Sequence, residues 1–243
     1  MSPSGETAIW HDVECGAYNA DLPLWEELAA ASTGPVLDLG CGTGRVALHL
    51  GRHGKEITGL DREPELAAEL NDRADSLPVR AEVGDARSFE LGRSFGLILA
   101  PMQLVQLFEG GASDRLAFLT CVKGHLKRGG IAAVAIVEEV LGGVSDELDS
   151  VPDAREVEGR LYSSQPIETV VDREWIVLRR LRKSVSPEGV LNREESRVDL
   201  RVLSAETLER EASRAGLHPA GRRAIEATED HIGSTVVLMR GEA

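Results

Sequence analysis

The sequence predicts an α/β protein with a doubly wound, Rossmann-like sheet of seven mostly parallel strands and an antiparallel insertion after strand five. Up to about residue 141, short apolar segments alternate with segments of helical periodicity, which is typical of a parallel sheet. A glycine-rich loop joins the first strand to the next helix, as in nucleotide-binding sheets. Residues 142–203 contain segments in which apolar and polar residues alternate, as in antiparallel strands.

The elements of the first half follow from their apolar spacing and their turn residues. The predicted strands cover 36–39, 56–60, 79–83, 96–100 and 131–137. The predicted helices cover 22–31, 46–52, 63–74 and 113–126. The first helix ends before a Ser-Thr-Gly-Pro turn at 32–35, and Pro64 stands at the start of the third.

The second half predicts an insertion followed by a return to the sheet. Residues 143–160 are acidic and loop-like, and strands are predicted at 167–171, 175–185 and 197–203. Ser204 is predicted to cap a helix that Gly216 ends, before a last strand at 235–240. We therefore divide the chain into an N-terminal helical lid (1–34), a main domain (35–141 and 204–243) and an insertion (142–203). We expect the insertion to cover the carboxyl edge of the sheet, where ligands bind in such folds.

Composition argues against several partners. The chain has 243 residues and a net charge of −14, and its longest basic run, 179–183, alternates with apolar residues as on the wet face of a strand. We expect no nucleic-acid partner and no membrane partner. Cysteines 15, 41 and 121 have no metal-ligand spacing, and the N-terminus lacks a secretory pattern, which favours a cytoplasmic protein.

The glycine loop, residues 36–45, reads Val-Leu-Asp-Leu-Gly-Cys-Gly-Thr-Gly-Arg. A dinucleotide site needs G-x-G-x-x-G, and here Arg45 takes the place of the third glycine. Asp38 lies within the strand and points toward the loop. A carboxylate there is unfavourable beside a pyrophosphate but favourable beside an ammonium or a sulfonium, so the pattern favours a cationic nucleoside.

Two further acids lie at strand ends. Asp61 ends the second strand, where a carboxylate reaches both ribose hydroxyls. Asp85 follows the third strand, where it can accept a hydrogen bond from an adenine amino group. The ordered set of Asp38, the glycines, Asp61 and Asp85 is a strong signal.

These motifs resemble those of class I S-adenosylmethionine-dependent methyltransferases, over nearly the whole chain. Residues 36–45, 59–61 and 84–86 resemble the family's glycine loop, ribose acid and adenine acid. Residues 126–130 resemble its turn before strand five, and residues 203–206 resemble the start of its late helix. The resemblance implies S-adenosylmethionine as cofactor and S-adenosylhomocysteine as product. It also implies backbone contacts from Gly40 and Gly42 to the methionine part and from Ala100 to its amine. The implied cofactor-binding residues are Tyr18, Asp38, Gly40, Cys41, Gly42, Asp61, Arg62, Asp85, Ala86 and Ala100.

The order of parts is similar to that of the small-molecule N-methyltransferases, including glycine, amino-sugar and actinobacterial natural-product enzymes. Their N-terminal segment often reads Tyr-Asp and then a second Tyr; here it reads His11-Asp12 and then Tyr18. The resemblance makes these three the candidate catalytic residues, with His11 or Asp12 as a general base.

Acceptor contacts are expected after strand four and in the insertion. The candidates are Gln106, Glu109, Tyr162 and Trp175, whereas Glu138 and Glu139 at the end of strand five read better as solvated acids. The segment after strand four reads Ala-Pro-Met-Gln and lacks the Asn-Pro-Pro-aromatic signature of DNA and glutamine methylation. No carboxylate pair resembles a magnesium-dependent catechol site, and we expect no metal.

The sequence thus predicts methyl transfer to a nitrogen or an electron-rich carbon of a small molecule, in secondary metabolism. C-methylation of an indole-type ring, a non-catalytic S-adenosylmethionine-binding module and an NAD-dependent oxidoreductase are the alternatives. The identity of the acceptor stays open, as does the possibility of a homodimer.

Overall fold

The computed structural model of the chain describes residues 4–138, 151–228 and 231–241. Its helices are α1 (Ser4–Cys15), α2 (Leu22–Ala31), α3 (Arg45–Arg52), α4 (Pro64–Ala74), α5 (Ala112–His125) and α6 (Ala205–Arg214), with a 3-10 turn at Leu104–Gln106. Its strands are β1 (Val36–Leu39), β2 (Ile57–Asp61), β3 (Val79–Val83), β4 (Phe95–Ala100), β5 (Leu126–Ile136), β6 (Asp153–Val157), β7 (Arg160–Val171), β8 (Trp175–Val185), β9 (Leu191–Arg201), β10 (His218–Ile225) and β11 (Ser234–Arg240). None of the helices in these ranges is long and apolar enough to cross a membrane.

The chain divides into two compact units. The seven-stranded unit comprises Tyr18–Glu138 and Leu203–Ala243; the four-stranded unit comprises Met1–Ala17 and Glu139–Val202. The sequence-based division had placed all of 1–34 in one segment. The structure instead groups α1 with the four-stranded sheet and α2 with the seven-stranded one.

The seven-stranded sheet has the order β10-β11-β5-β4-β1-β2-β3. Its central pairs are parallel, and β11 runs antiparallel to both β5 and β10. The predicted fold class is therefore confirmed. Because β1, β2 and β4 run parallel, their carboxyl ends lie at the same edge of the sheet. The glycine loop, which follows β1, lies at this edge too.

The central strands are buried on both faces. Every residue of β1, β2 and β4 is buried, which explains why these strands read as continuous apolar segments. Within β4, Ile98 packs into one apolar cluster while Leu97 and Leu99 pack into another, as side chains alternate between the faces. Helix α6 completes the unit, and the predicted cap is confirmed, since Thr207 N donates to Ser204 Oγ at 3.2 Å.

The sequence analysis did not predict strand β10. It lies at the edge of the sheet, most of its residues are exposed, and it contains Pro219 and Gly221. Such a strand carries no apolar alternation, and proline is tolerated at an edge. The predicted strand five also begins earlier, at Leu126, with a register shift between Phe95 and Leu97 on β4.

The four-stranded sheet is an antiparallel meander of order β6-β7-β8-β9. The prediction of antiparallel strands in the insertion is confirmed, but β7 and β9 begin earlier than expected. The prediction that 143–160 is loop-like is wrong for Asp153–Val157, which forms the edge strand β6; residues 139–150, with Glu139, lie outside the described residues.

Helix α1 packs on this sheet. Trp10 and Val13 are buried with Tyr162 of β7, and the rings of Trp10 and Tyr162 meet edge to face with centroids 5.2 Å apart. Glu14 accepts hydrogen bonds from Arg182 at 2.8 Å and from Ser164 at 2.8 Å. Burial would raise the pKa of Glu14, but Arg182 and Ser164 outweigh it, so its pKa is lowered. The segment thus has apolar and ionic contacts that its sequence did not reveal.

Candidate cofactor site

The loop between β1 and α3 depends on three glycines. Gly40, Gly42 and Gly44 have φ angles of 69°, 55° and 97°, in the left-handed region that glycine adopts without steric cost. At Gly44 a Cβ would lie 2.2 Å from Cδ1 of Leu70, so a side chain there would also collide with α4. The loop therefore presents bare backbone that a ligand can approach closely.

Asp38 is a buried carboxyl group beside this loop. Its side chain is 1% exposed, and among the described residues its Oδ1 has no hydrogen-bond partner. Burial raises the pKa of Asp38 to about 7, the charges of Asp61 and Asp21 add to the rise, and Arg45 and a hydrogen bond from the Ala47 backbone oppose it. A cationic ligand would give Oδ1 of this carboxylate a partner.

Asp61 binds the glycine loop directly. Its Oδ2 accepts a hydrogen bond from Gly42 N at 2.8 Å, and its Oδ1 accepts one from Glu63 N at 3.0 Å. Each carboxylate oxygen can accept a second bond, so both remain able to bind hydroxyl groups. The sequence-predicted Asp38, the glycines and Asp61 are thus brought together at one edge of the sheet.

Cys41 and Arg62 flank this group. A Cβ on Gly59 would lie 2.6 Å from Sγ of Cys41, so the buried cysteine fills the space that the glycine leaves. Burial raises the pKa of this thiol well above its usual value. Arg62 has a side chain that is 76% exposed, and its Nε lies 3.3 Å from Oε1 of Glu63.

Arg45, which replaces the third glycine of a dinucleotide motif, anchors the segment before α2. Its two terminal nitrogens bind Asp21 at 2.6 and 2.7 Å, and one also donates to Tyr18 O at 2.9 Å. Asp21 is 1% exposed and accepts a further bond from Trp25 Nε1 at 2.7 Å. The sequence analysis missed Asp21 and this role of Arg45, because two residues 24 positions apart leave no periodic signal.

Tyr18 lies on this cluster. The guanidinium of Arg45 stands 5.0 Å from the centre of the Tyr18 ring, and the ring of His231 stacks on it with centroids 4.7 Å apart. Burial and the charge of Asp21 raise the pKa of the Tyr18 phenol. The tyrosine is therefore a buried, neutral ring fixed beside the first residue of α3.

Asp85 is held by an arginine two residues on. Its carboxylate accepts bonds from Arg87 N at 2.8 Å and from Arg87 Nη2 at 2.6 Å, while Asp114 binds Nη1 of the same guanidinium at 2.7 Å. The hydrogen bonds and the charge of Arg87 lower the pKa of Asp85 to about 2, although burial opposes them. Asp85 is therefore a fixed, ionised acceptor, and Ala86 beside it is buried.

The chain leaves β4 through an unusual turn. Ala100, the last residue of β4, is fully buried, and Met102 and Gln103 both have left-handed backbone angles, φ 53° and 57°. Leu104 then comes close to the glycine loop, since a Cβ on Gly40 would lie 3.1 Å from its Cδ1. Consecutive left-handed residues without a glycine are strained, and such strain is concentrated at functional sites.

Two of the predicted acceptor residues follow this turn. Gln106 is fully buried, and its side-chain amide binds the backbone of Val137 on both sides: Nε2 donates to the carbonyl at 3.0 Å, and Oε1 accepts from the N–H at 2.7 Å. This geometry gives Gln106 a structural role between the 3-10 turn and the end of β5, in place of the expected contact with an acceptor. Glu109 is exposed. Glu138 accepts from Ala205 N at 2.7 Å at the start of α6.

The predicted catalytic pair lies in the four-stranded unit. Asp12 is buried and forms an ion pair with Arg155 of β6, and His11 is half-buried beside it on α1. The carboxylate of Asp12 is thus bound by a guanidinium of its own unit, which gives it a structural role and argues against the expected role of general base.

Tyr162 and Trp175 were predicted to line an acceptor pocket. Tyr162 is fully buried against Trp10, so it belongs to the core of the four-stranded unit, and this burial argues against the expected contact. Burial also raises the pKa of its phenol, whose oxygen lacks a hydrogen-bond partner within the described part of the chain. Trp175 is half-buried, and the guanidinium of Arg201 stands 3.9 Å from the centre of its ring.

Comparison with known proteins gives one family match and one related sequence. Residues 36–130 match the family described as "Methyltransferase domain". A protein of Eikenella corrodens described as Hemagglutinin 1 is 31% identical over 127 residues, which are 51% of this chain and 41% of that protein. This chain thus spans less than half the length of that relative.

Solved structures resemble the fold over nearly its whole length. A S-adenosylmethionine-dependent methyltransferase from Clostridium acetobutylicum has a TM-score of 0.71 at 16% identity, covering 98% of each chain. The sugar N-methyltransferase KedS8 from a Streptoalloteichus species has a TM-score of 0.68 at 18% identity, covering 100% of this chain and 89% of that one. CalS10, an amino pentose methyltransferase from Micromonospora echinaspora, has a TM-score of 0.65 at 20% identity, covering 95% and 91%. Residues 36–130 are therefore similar to a methyltransferase domain, and the chain has the fold of the S-adenosylmethionine-dependent methyltransferases.

Proposed function

We propose that this chain binds S-adenosylmethionine at the carboxyl ends of β1 and β2 and transfers its methyl group to a small molecule. The observation that carries the proposal is the pairing of Asp38, a buried carboxyl with an unpartnered oxygen, with the left-handed glycines and the loop-bound carboxylate of Asp61. A methyl-transfer cofactor of this kind is a cationic nucleoside, which matches two carboxylates beside bare backbone.

The same charges argue against a dinucleotide cofactor. A pyrophosphate needs the backbone N–H groups at a helix N-terminus and no nearby uncompensated anion. Here the buried Asp38 beside the glycine loop has an oxygen without a partner among the described residues, and Arg45 is neutralised by Asp21. The loop is therefore better suited to a cation than to an anion.

Different residues would bind different parts of the cofactor. Asp61 would accept hydrogen bonds from the ribose hydroxyls, and Asp85, held ionised by Arg87, would accept one from the adenine amino group. Asp38 would balance the positive charge of the methionine part, and the Gly40, Gly42 and Ala100 backbones would contact that part, as in the family. When bound, the cofactor supplies an electrophilic methyl group.

The chain's own part in the chemical step is positioning. The bound cofactor would supply its methyl group to a lone pair of the acceptor, with the sulfur as leaving group, so the residues that hold the two molecules would act by alignment and by exclusion of water. If the acceptor arrives as an ammonium, one proton must leave it before its nitrogen has a lone pair, and a ring N–H must lose its proton as the new bond forms. His11 is the candidate to take that proton, since an imidazole titrates near neutral pH.

The acceptor class that we favour is an amine of a small molecule in secondary metabolism. KedS8 and CalS10, described as a sugar N-methyltransferase and an amino pentose methyltransferase, share the fold of this chain with its insertion. An acidic protein with a net charge of −14 also attracts cationic or neutral acceptors more than anionic ones.

The test is a transfer assay with methyl-labelled S-adenosylmethionine and a panel of amino sugars, simple amines and indoles. We expect S-adenosylhomocysteine and a product labelled on nitrogen, with transfer lost in Asp61→Ala and kept in Asp72→Ala, which removes an exposed carboxylate of α4. A label on a ring carbon would support the indole alternative. Cofactor binding without transfer to the panel or to a cell extract would make the chain a non-catalytic binding module.

A further inference from the structure

A second cluster of ligand-type side chains lies between α2 and α3. His49 lies in α3, His53 is the first residue after it, four positions on, and Glu26 of α2 lies beside both. Oε2 of Glu26 lies 3.4 Å from Nε2 of His49, and Oε1 lies 3.6 Å from Nε2 of His53. We propose that Glu26, His49 and His53 form a binding site for a divalent transition-metal ion of the zinc class.

The separations fit a tetrahedral ion. Zinc–nitrogen and zinc–oxygen bonds of about 2.0–2.2 Å place neighbouring ligand atoms about 3.3–3.6 Å apart. Each imidazole lies at such a distance from one of the two carboxylate oxygens of Glu26, His49 from Oε2 and His53 from Oε1, and one donor atom of each residue lies within 4.8 Å of the other two. The ring of His53 is about half exposed, so a small rotation of its side chain can shorten the separation between the imidazoles.

A hydrogen bond to the backbone fixes which ring nitrogen of His53 carries the hydrogen. Nδ1 of His53 lies 2.9 Å from the backbone carbonyl of His49. A carbonyl oxygen can only accept, so Nδ1 carries the hydrogen, and in the neutral ring Nε2 keeps its lone pair on the side of Glu26. A backbone carbonyl that fixes the imidazole in this way is the usual support of a metal-binding histidine.

The donor set selects the class of ion. Two imidazole nitrogens and one carboxylate suit zinc, cobalt, nickel and copper, whereas calcium and magnesium prefer oxygen ligands alone. Three protein ligands leave a fourth tetrahedral position for water, and the partial exposure of all three side chains lets the ion enter from solvent. The sequence analysis expected no metal, although the His-x-x-x-His spacing was visible.

The ion would join α2 and α3 at a second point. The two helices are already joined by the ion pair between Asp21, just before α2, and Arg45, the first residue of α3. Glu26 lies further along α2, His49 lies further along α3, and His53 follows the end of α3. A metal bound there stabilises the folded chain, because the unfolded chain does not hold the three ligands together.

The test is a titration of the untagged protein with ZnCl2, followed by calorimetry, together with the thermal midpoint. We expect one ion per chain and, at 100 times the dissociation constant, a rise in midpoint of about 5–10 °C. Glu26→Gln, His49→Gln and His53→Gln should each weaken binding by about tenfold or more, since loss of even an outer-shell partner costs that much. His218→Gln, which removes an exposed histidine of β10, should leave it unchanged.

Cobalt binding separates this site from the cysteines. Ions held by imidazole and carboxylate give only weak visible bands, whereas thiolate ligands give an intense near-ultraviolet band. We expect the weak bands alone, lost in His53→Gln. The absence of any binding would overturn the proposal, as would a thiolate band or zinc binding that all three substitutions leave intact. None of these readouts depends on methyl transfer.

Discussion

Substitution of Asp38 by asparagine, combined with a change of pH, tests the electrostatics of the cofactor site. In the free chain the pKa of Asp38 is raised to about 7, chiefly by burial. A bound cation stabilises the charged carboxylate and so lowers its pKa. Binding of S-adenosylmethionine therefore releases a proton below pH 7, and its affinity should rise as the pH rises through 7 and level off above.

The expected size follows from the titration. Between pH 6 and pH 8 the ionised fraction of a group with a pKa of about 7 rises from about a tenth to about nine tenths, so affinity should rise about tenfold. Asparagine cannot ionise, so Asp38→Asn should remove this part of the pH dependence and weaken binding at pH 8.

The stability of the free chain should change in the opposite direction. The folded-state pKa of Asp38 lies above its ordinary value of 3.8, so its contribution to stability is present below pH 3.8 and is lost as the pH rises through about 7. Removing the charge at pH 8 would stabilise the fold by at most about 4 kcal/mol, and the buried amide N–H2 without an acceptor costs about 1–3 kcal/mol. We therefore expect Asp38→Asn to be more stable than the parent by about 1–3 kcal/mol at pH 8.

Calorimetric titrations at pH 6 and 8, in buffers of different ionisation enthalpy, measure the affinity and count the protons released. The amino group of the ligand titrates near pH 8 as well, and the Asp38→Asn protein measured alongside corrects for it. Equal pH dependence in the two proteins would refute the reasoning, as would an asparagine variant less stable than the parent at pH 8.

Further substitutions test single contacts. Asp61→Ala should lower the affinity for S-adenosylmethionine about ten- to a hundredfold, since it removes charge-assisted bonds worth about 1.5–3 kcal/mol; an unchanged dissociation constant would contradict the assignment. Arg45→Gln leaves the buried Asp21 carboxylate unpaired and should reduce the free energy of unfolding by about 3–5 kcal/mol in urea denaturation, whereas a loss below 1 kcal/mol would count against the buried ion pair. His11→Ala should lower kcat about a hundredfold with cofactor affinity unchanged if it is the base. Asp12→Asn should reduce stability with kcat within about threefold of the parent, and a hundredfold loss of kcat at full stability would restore it as a catalytic group.

The sequence was informative where one physical constraint acts on neighbouring residues. Central strands buried on both faces must be continuously apolar, and a loop with left-handed angles must contain glycine, so β1, β2, β4 and the glycine loop were all predictable. The edge strands β6 and β10 were not, since they are largely exposed on both faces and gain their stability from pairing alone.

Contacts between distant residues gave no such signal. Asp21 binds Arg45, which lies 24 positions away, and the sequence around Asp21 indicates only a polar turn. Asp12 binds Arg155, which lies 143 positions away. For Gln106 the sequence suggested a contact that differs from the one in the structure. A polar residue after strand four suggests a ligand contact, but both polar atoms of its amide form hydrogen bonds with the backbone of Val137. A buried polar group must find a partner, and sequence alone does not say whether that partner is a substrate or the chain itself.

The most direct test of the central claim is an equilibrium titration of the purified chain with S-adenosylmethionine and, separately, with NAD+. The account predicts saturable binding of one S-adenosylmethionine per chain, weakened about tenfold or more by Asp61→Ala, kept by Asp72→Ala, and no binding of NAD+. Binding of NAD+ in place of S-adenosylmethionine would contradict it, and so would S-adenosylmethionine binding that Asp61→Ala leaves unchanged.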